Sequence, residues 1–248
     1  MLAFITGSGF YELPDLTDQE SRTVTTAWGD VTVALGRYGG RKVAFIPRHG
    51  SDHSIPPHRI EYRANIRALA DIGATGILAV NVVGGIDEAL PPGALACVDQ
   101  FIEFTKGRAE TFFDEAVDGS VRHTDMTEPY DAGLRAALVE AATELGIELA
   151  STATYVCTNG PRFETSAEID FYRRIGGHVV GMTGYPEVAL AREAGIPYAA
   201  LAVVSNPAAG MTGDPLTLEG IWAVLDGVRP DLLRLLAHTA GLIPPARG

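Results

Sequence analysis

Short apolar runs alternate along this chain with stretches whose apolar residues recur every three or four positions. The runs read as buried strands over Leu2 to Thr6, Val31 to Leu35, Val43 to Pro47, Ile77 to Val83, Ala94 to Ile102, Ala153 to Cys157, Val179 to Met182 and Tyr198 to Val204. The recurring pattern predicts helices over Glu61 to Ile72, Asp131 to Leu145 and Glu187 to Ala194. A terminal helix is expected over Leu216 to Leu242, where Leu218, Ile221, Val224, Leu225, Val228, Leu232 and Leu235 form one stripe, with an interruption near Pro230. Thr165, followed three residues later by Glu168, has the spacing of a capping box and marks one more helix start. The alternation predicts an α/β fold: one domain over residues 1–248, with a mixed, mainly parallel twisted sheet flanked by helices on both faces.

In such sheets ligands sit beyond the carboxyl ends of the strands, so the polar residues following each strand are the ones to collect. The first strand is followed by Thr6-Gly7-Ser8-Gly9, a turn that a phosphate can approach closely, although two glycines in a turn are common in many folds. The strand ending at Pro47 leads to Arg48-His49-Gly50, a fixed positive charge beside an imidazole. The next leads to Asn81-Val82-Val83-Gly84-Gly85, and the last to Ser205-Asn206-Pro207-Ala208. Two loops, Thr158 to Thr165 and Gly181 to Glu187, complete the set. Thr183 is expected where free backbone N–H groups at a helix N-terminus favour an anion.

Composition narrows the partners. A net charge of -12 over 248 residues argues against a nucleic acid or an anionic membrane, so any phosphate must be held locally. The N-terminus opens on a strand pattern rather than a signal peptide, and no run reaches the length of a membrane span, so a cytoplasmic location is expected. Cys97 and Cys157 lie inside apolar strands and are expected to be buried hydrophobes.

Together these motifs resemble the trimeric purine nucleoside phosphorylase family, in particular the branch of methylthioadenosine and methylthioinosine phosphorylases. The likeness runs in order along essentially the whole chain. It implies the nucleoside phosphorylase fold and phosphorolysis of a purine nucleoside, with inorganic phosphate as co-substrate and neither metal nor other cofactor. By the same resemblance Ser8, Arg48, His49, Val82 and Thr183 form the phosphate site, while Val83, Gly84, Phe163, Glu164, Met182, Asn206 and Ala208 contact the nucleoside. Asn206, Thr183 and His49 are the expected catalytic residues. His53 is expected to complete the 5′ pocket of a neighbouring subunit, which implies a homotrimer or a dimer of such trimers.

Two departures bear on the substrate. The adenine-selective branch carries aspartates where this chain has Asn206 and Ala208. An asparagine amide can donate to the O6 and N7 acceptors of a 6-oxopurine, whereas an aspartate accepts from the adenine amino group. The segment expected over the 5′ end carries Leu218 and Ile221 and lacks the histidine of hydroxyl-binding relatives, which suits a methylthio group. The sequence therefore favours S-methyl-5′-thioinosine, with inosine or guanosine secondary. Methylthioadenosine phosphorolysis, with Glu164 or water reading the base, is an enzyme alternative. Hydrolysis on a related fold and a non-catalytic nucleoside-binding protein are the others.

Overall fold

A computed structural model describes residues 1–116, 119–213 and 216–244. A ten-stranded sheet runs β2-β3-β4-β1-β5-β9-β8-β7, with β10 pairing both β5 and β6. The strands are β1 (Leu2–Thr6), β2 (Thr17–Thr26), β3 (Gly29–Tyr38), β4 (Arg41–Pro47), β5 (Gly76–Gly85), β6 (Leu95–Cys97), β7 (Gln100–Phe104), β8 (Thr154–Thr158), β9 (Val179–Gly181) and β10 (Tyr198–Pro207). The pairings of β1 with β4 and β5, of β5 with β10, and of β8 with β7 and β9 are parallel. Those of β3 with β2 and β4, of β5 with β9 and of β6 with β10 are antiparallel. The mixed, mainly parallel α/β sheet expected from the sequence is the one observed.

Alternation along the central strands builds two cores, because successive side chains point to opposite faces. Ala3, Ile5, Ala44 and Ile46 pack beneath α1 (Tyr62–Asp71) and α4 (Gly184–Glu193). Leu2, Phe4, Val43 and Phe45 pack on the other face with Leu134 and Leu138 of α2 (Ala132–Leu145) and Leu225, Leu232 and Leu235 of α5 (Leu218–Leu242). A smaller core lies under α3 (Ser166–Arg174), whose capping box forms as predicted: Thr165 Oγ1 accepts from the Glu168 N–H while Glu168 accepts from the Thr165 N–H.

Three expectations are corrected. β2, Thr-Asp-Gln-Glu-Ser-Arg-Thr-Val-Thr-Thr, was not expected as a strand, because it is exposed almost throughout and carries no apolar alternation. Its order comes from pairing with β3. The run Ala94 to Ile102 is two strands, divided where Asp99 accepts a hydrogen bond from the Ala153 N–H at 3.0 Å. Pro230 does not interrupt α5, which continues through it; buried leucines on both sides hold the helix on the sheet despite the missing N–H. Among the described residues no helix is long and apolar enough to cross a membrane.

Candidate active site

The carboxyl ends of β1, β4, β5, β9 and β10 converge on one cavity of about 540 Å³, and every site residue expected from the sequence lies on its wall. Ser8, Arg48, His49, Val82 and Thr183 meet there with Val83, Gly84, Phe163, Glu164, Met182, Asn206, Ala208, His53, Leu218 and Ile221.

The polar end is set by buried partners. Arg48 is 1% exposed and grips the Glu187 carboxylate with two bonds of 3.0 and 2.8 Å. It also donates to the carbonyls of Val80 at 2.7 Å and Ile5 at 3.3 Å. Burial opposes its charge, but the Glu187 carboxylate more than offsets this and raises the Arg48 pKa, so the guanidinium stays protonated. The expected fixed positive charge is thus largely neutralised by a residue on α4. Of the five guanidinium protons, one on Nη1 is left. Gly7 leaves room beside it: a Cβ there would stand 3.0 Å from Arg48 Nη1.

Thr183 also differs from expectation. The Thr183 and Gly184 N–H groups are not free for an anion, because both donate to the Tyr155 hydroxyl, at 3.2 and 3.3 Å. What Thr183 offers is its hydroxyl. Asn81 Nδ2 donates to Thr183 Oγ1 at 3.0 Å, leaving the hydroxyl proton available as a donor. His49 Nδ1 lies 2.8 Å from the Ile55 carbonyl, so that nitrogen carries a proton and Nε2 bears the lone pair. Burial is the main cause that lowers the His49 pKa to about 4, which keeps the ring neutral near pH 7. A neutral imidazole can accept the single proton of HPO₄²⁻ while the Thr183 hydroxyl and the Arg48 N–H donate to its oxygens.

The other end is apolar and partly open. Phe163 is 46% exposed and Leu218 63%, whereas Ile221 is 9% exposed and faces Leu216 and Trp222 in the same wall. The two loops that carry Phe163 and Met182 touch closely. Gly160, at φ +60°, passes so near that a Cβ would stand 2.5 Å from Met182 Sδ. Thr158 Oγ1 donates to one Glu164 oxygen at 2.6 Å, leaving the second as an acceptor. His53 lines this chain's own cavity, with its ring 5.0 Å from that of His49 and its Nδ1 2.8 Å from the Tyr11 hydroxyl.

A break in register between Val204 and Asn206 makes Ser205 the extra residue of a β-bulge, which re-aims the strand end. Ser205 Oγ donates to Asn206 Oδ1 at 2.7 Å, and Asn206 Nδ2 donates to the Pro207 carbonyl at 2.7 Å. Asn206 therefore retains one N–H and one lone pair for a ligand.

Residues 1–240 match the family model described as the Phosphorylase superfamily. The chain belongs to the phosphorylase superfamily. It is 44% identical to the 6-oxopurine nucleoside phosphorylase of Pyrococcus furiosus, over 99% of this chain and 94% of that relative. The same identity, over 98% of this chain and 93% of the relative, links it to a probable S-methyl-5′-thioinosine phosphorylase of Methanopyrus kandleri. Methylthioadenosine phosphorylase from Schistosoma mansoni, solved with adenine, superposes with a TM-score of 0.91 at 31% identity, covering 97% of this chain and 90% of that one.

Within this phosphorylase-superfamily chain, sequence reasoning missed the supports behind the cavity. In the sequence Asn81 is only part of a glycine motif, Glu187 only a helix start and Tyr155 only a strand residue. Their function depends on partners far away in the chain, so no local spacing announces it. Trp222 was readable, one position beyond Ile221 on the segment already expected to cover the 5′ end.

Proposed function

We propose that this chain catalyses phosphorolysis of a 6-oxopurine nucleoside, with S-methyl-5′-thioinosine as the preferred substrate and inosine or guanosine as slower ones. The observation that carries the reading is the side chain presented by the β10 bulge. Asn206 stands there with Ala208 close by, and neither offers the carboxylate that would accept from an adenine amino group. The spare Asn206 N–H suits the purine O6, where negative charge grows as the base leaves, and its spare lone pair suits N7–H once that nitrogen is protonated. The free Glu164 oxygen suits the N1–H of a 6-oxopurine, a position at which adenine has only an acceptor.

At the opposite end HPO₄²⁻ sits among Ser8, Arg48, His49, Val82 and Thr183 and attacks C1′ of an oxocarbenium-like ribose. The products are the free purine and a ribose 1-phosphate. Leu216, Leu218, Ile221 and Trp222 form an apolar wall suited to a 5′-methylthio group. The names of the Pyrococcus and Methanopyrus relatives support the base and the 5′ group respectively. Phosphate serves as co-substrate, and the residues supply the chemistry without a cofactor.

We read the assembly as a homotrimer in the cytoplasm, with no nucleic acid or membrane partner. Exposed Phe163 and Leu218 at the cavity mouth, with Phe171 on α3 and Ile175 just past its C-terminus, supply apolar surface for a neighbouring copy, and a dimer of such trimers is compatible with it. The Schistosoma likeness favours methylthioadenosine phosphorylase as the second reading. The test is hypoxanthine release from methylthioinosine with and without phosphate. Release only with phosphate is expected. Equal release in its absence identifies a hydrolase, and binding without release identifies a non-catalytic receptor.

A further inference from the structure

Arg108 lies between β7 and α2, and no motif in the sequence distinguishes it. Its side chain reaches both loops that carry the nucleoside end of the cavity. Nη2 donates to the carbonyls of Asn159 at 2.9 Å, Met182 at 2.7 Å and Thr158 at 3.3 Å, and Nη1 donates to the carbonyl of Tyr185. Thr158 and Asn159 open the loop that carries Phe163 and Glu164; Met182 and Tyr185 belong to the loop that carries Thr183. The guanidinium also lies over the Tyr62 ring, 5.4 Å from its centroid, and Nη1 is 3.3 Å from the Tyr62 hydroxyl. That hydroxyl in turn donates to the Pro57 carbonyl at 3.1 Å, and Pro57 lines the cavity.

Other side-chain ties between the second loop and β8 with its loop are few among the described residues, and they include the Tyr155 hydroxyl, which accepts from the Thr183 and Gly184 N–H groups. Thr158 Oγ1 lies 3.4 Å from the Gly181 carbonyl, and Cys157 Sγ makes long contacts with the Tyr185 backbone at 3.4 and 3.6 Å. No carboxylate pairs with Arg108 among the described residues, so four backbone carbonyls and one phenol oxygen are its partners. A planar fork can hold several carbonyls in fixed relative positions, and a lysine ammonium, a single point with three donors, cannot reproduce that spread.

We propose that Arg108 is a positioning residue that sets the distance between the Phe163–Glu164 loop and the Met182–Thr183 loop, and so governs binding of the nucleoside more than of phosphate. This rests on the phosphorolysis reading for its kinetic consequence only. Phosphate also draws on Ser8, Arg48, His49 and Val82, all from elements that Arg108 does not touch. The nucleoside depends on both clamped loops.

The test compares Arg108→Lys and Arg108→Met with Arg41→Met, which removes a similar arginine clamp on the Ala240 and Ile243 carbonyls far from the cavity. Both Arg108 variants are expected to raise the nucleoside KM and lower kcat by about tenfold each, with the phosphate KM moving less than about threefold. Arg41→Met is expected to lower the melting temperature and leave both KM values unchanged. Nucleoside kinetics of Arg108→Met within about twofold of wild type, or a full return of activity in Arg108→Lys, overturns the proposal.

Hydrogen exchange tests the same clamp without any substrate. In Arg108→Met the amides of Asn159, Gly160, Arg162, Phe163 and Glu164, and of Met182 to Tyr185, are expected to exchange at least about tenfold faster, with β1 and β4 unchanged. Unchanged exchange in those loops overturns the proposal whatever the activity. Absence of phosphorolysis in the wild-type protein would sink the functional reading alone.

Discussion

The two ends of the cavity are built on opposite plans. At the anion end Arg48, His49, Asn81 and Thr183 are all buried, and each is held by a named partner: Glu187, the Ile55 carbonyl, and for the last two each other. At the nucleoside end Phe163 and Leu218 stand half-exposed or more, and Asn206 is oriented only by its immediate neighbours. The first plan fixes protonation and donor direction before any ligand arrives. The second leaves side chains that can change without unsettling the core. Chemistry shared across the superfamily suits the first end, and choice of substrate suits the second.

The strongest way to break this contrast is to remove a partner from the rigid end. Glu187→Ala leaves the Arg48 charge buried without its carboxylate and should cost about 3–5 kcal/mol in urea unfolding. A loss below about 1 kcal/mol would mean that water reaches Arg48 and that the end is not rigid.

A second test of the same end uses pH. The His49 pKa is lowered from 6.5 to about 4, so between those values the unfolded chain holds a proton that the folded one does not. Stability therefore rises with pH through that window. The His49 contribution is complete above pH 6.5 and is lost as pH falls through 4, amounting to roughly 3 kcal/mol. Unfolding midpoints of wild type and His49→Gln between pH 7 and 4 should converge as the pH drops; parallel curves would contradict a buried neutral imidazole.

At the open end the effects should appear in selectivity rather than stability. Asn206→Asp should shift the kcat/KM ratio toward adenine nucleosides by about 10- to 100-fold with little change in melting temperature. Leu218→Asn should favour inosine over methylthioinosine by about tenfold or less, since one apolar contact is exchanged for a polar one. If Leu218→Asn instead unfolds the protein, that wall belongs to the core and the contrast fails.

The same contrast explains what could be read from the sequence. Buried parallel strands write themselves as continuous apolar runs, so their carboxyl ends, and with them Ser8, Arg48, Val82 and Asn206, could be collected in order. Phe163 and Thr183 are marked by loops beside those ends, whereas Met182 is implied by the family resemblance. What could not be read was pairing over distance. Glu187 meets Arg48 across 139 positions, and Asn81 meets Thr183 across 102, with nothing local to signal either. Tyr155 consumes the two N–H groups that the start of α4 had suggested for an anion. β2 escaped because a strand ordered by its partner needs no apolar pattern of its own, and Pro230 misled because packing outweighed its propensity.

The most direct measurement is the ratio of kcat/KM for S-methyl-5′-thioinosine to that for S-methyl-5′-thioadenosine, taken on one preparation at saturating phosphate. Preference for the inosine form by about tenfold or more is expected, given an amide donor rather than a carboxylate at position 206. Faster cleavage of the adenosine form would contradict the assignment of base recognition to Asn206.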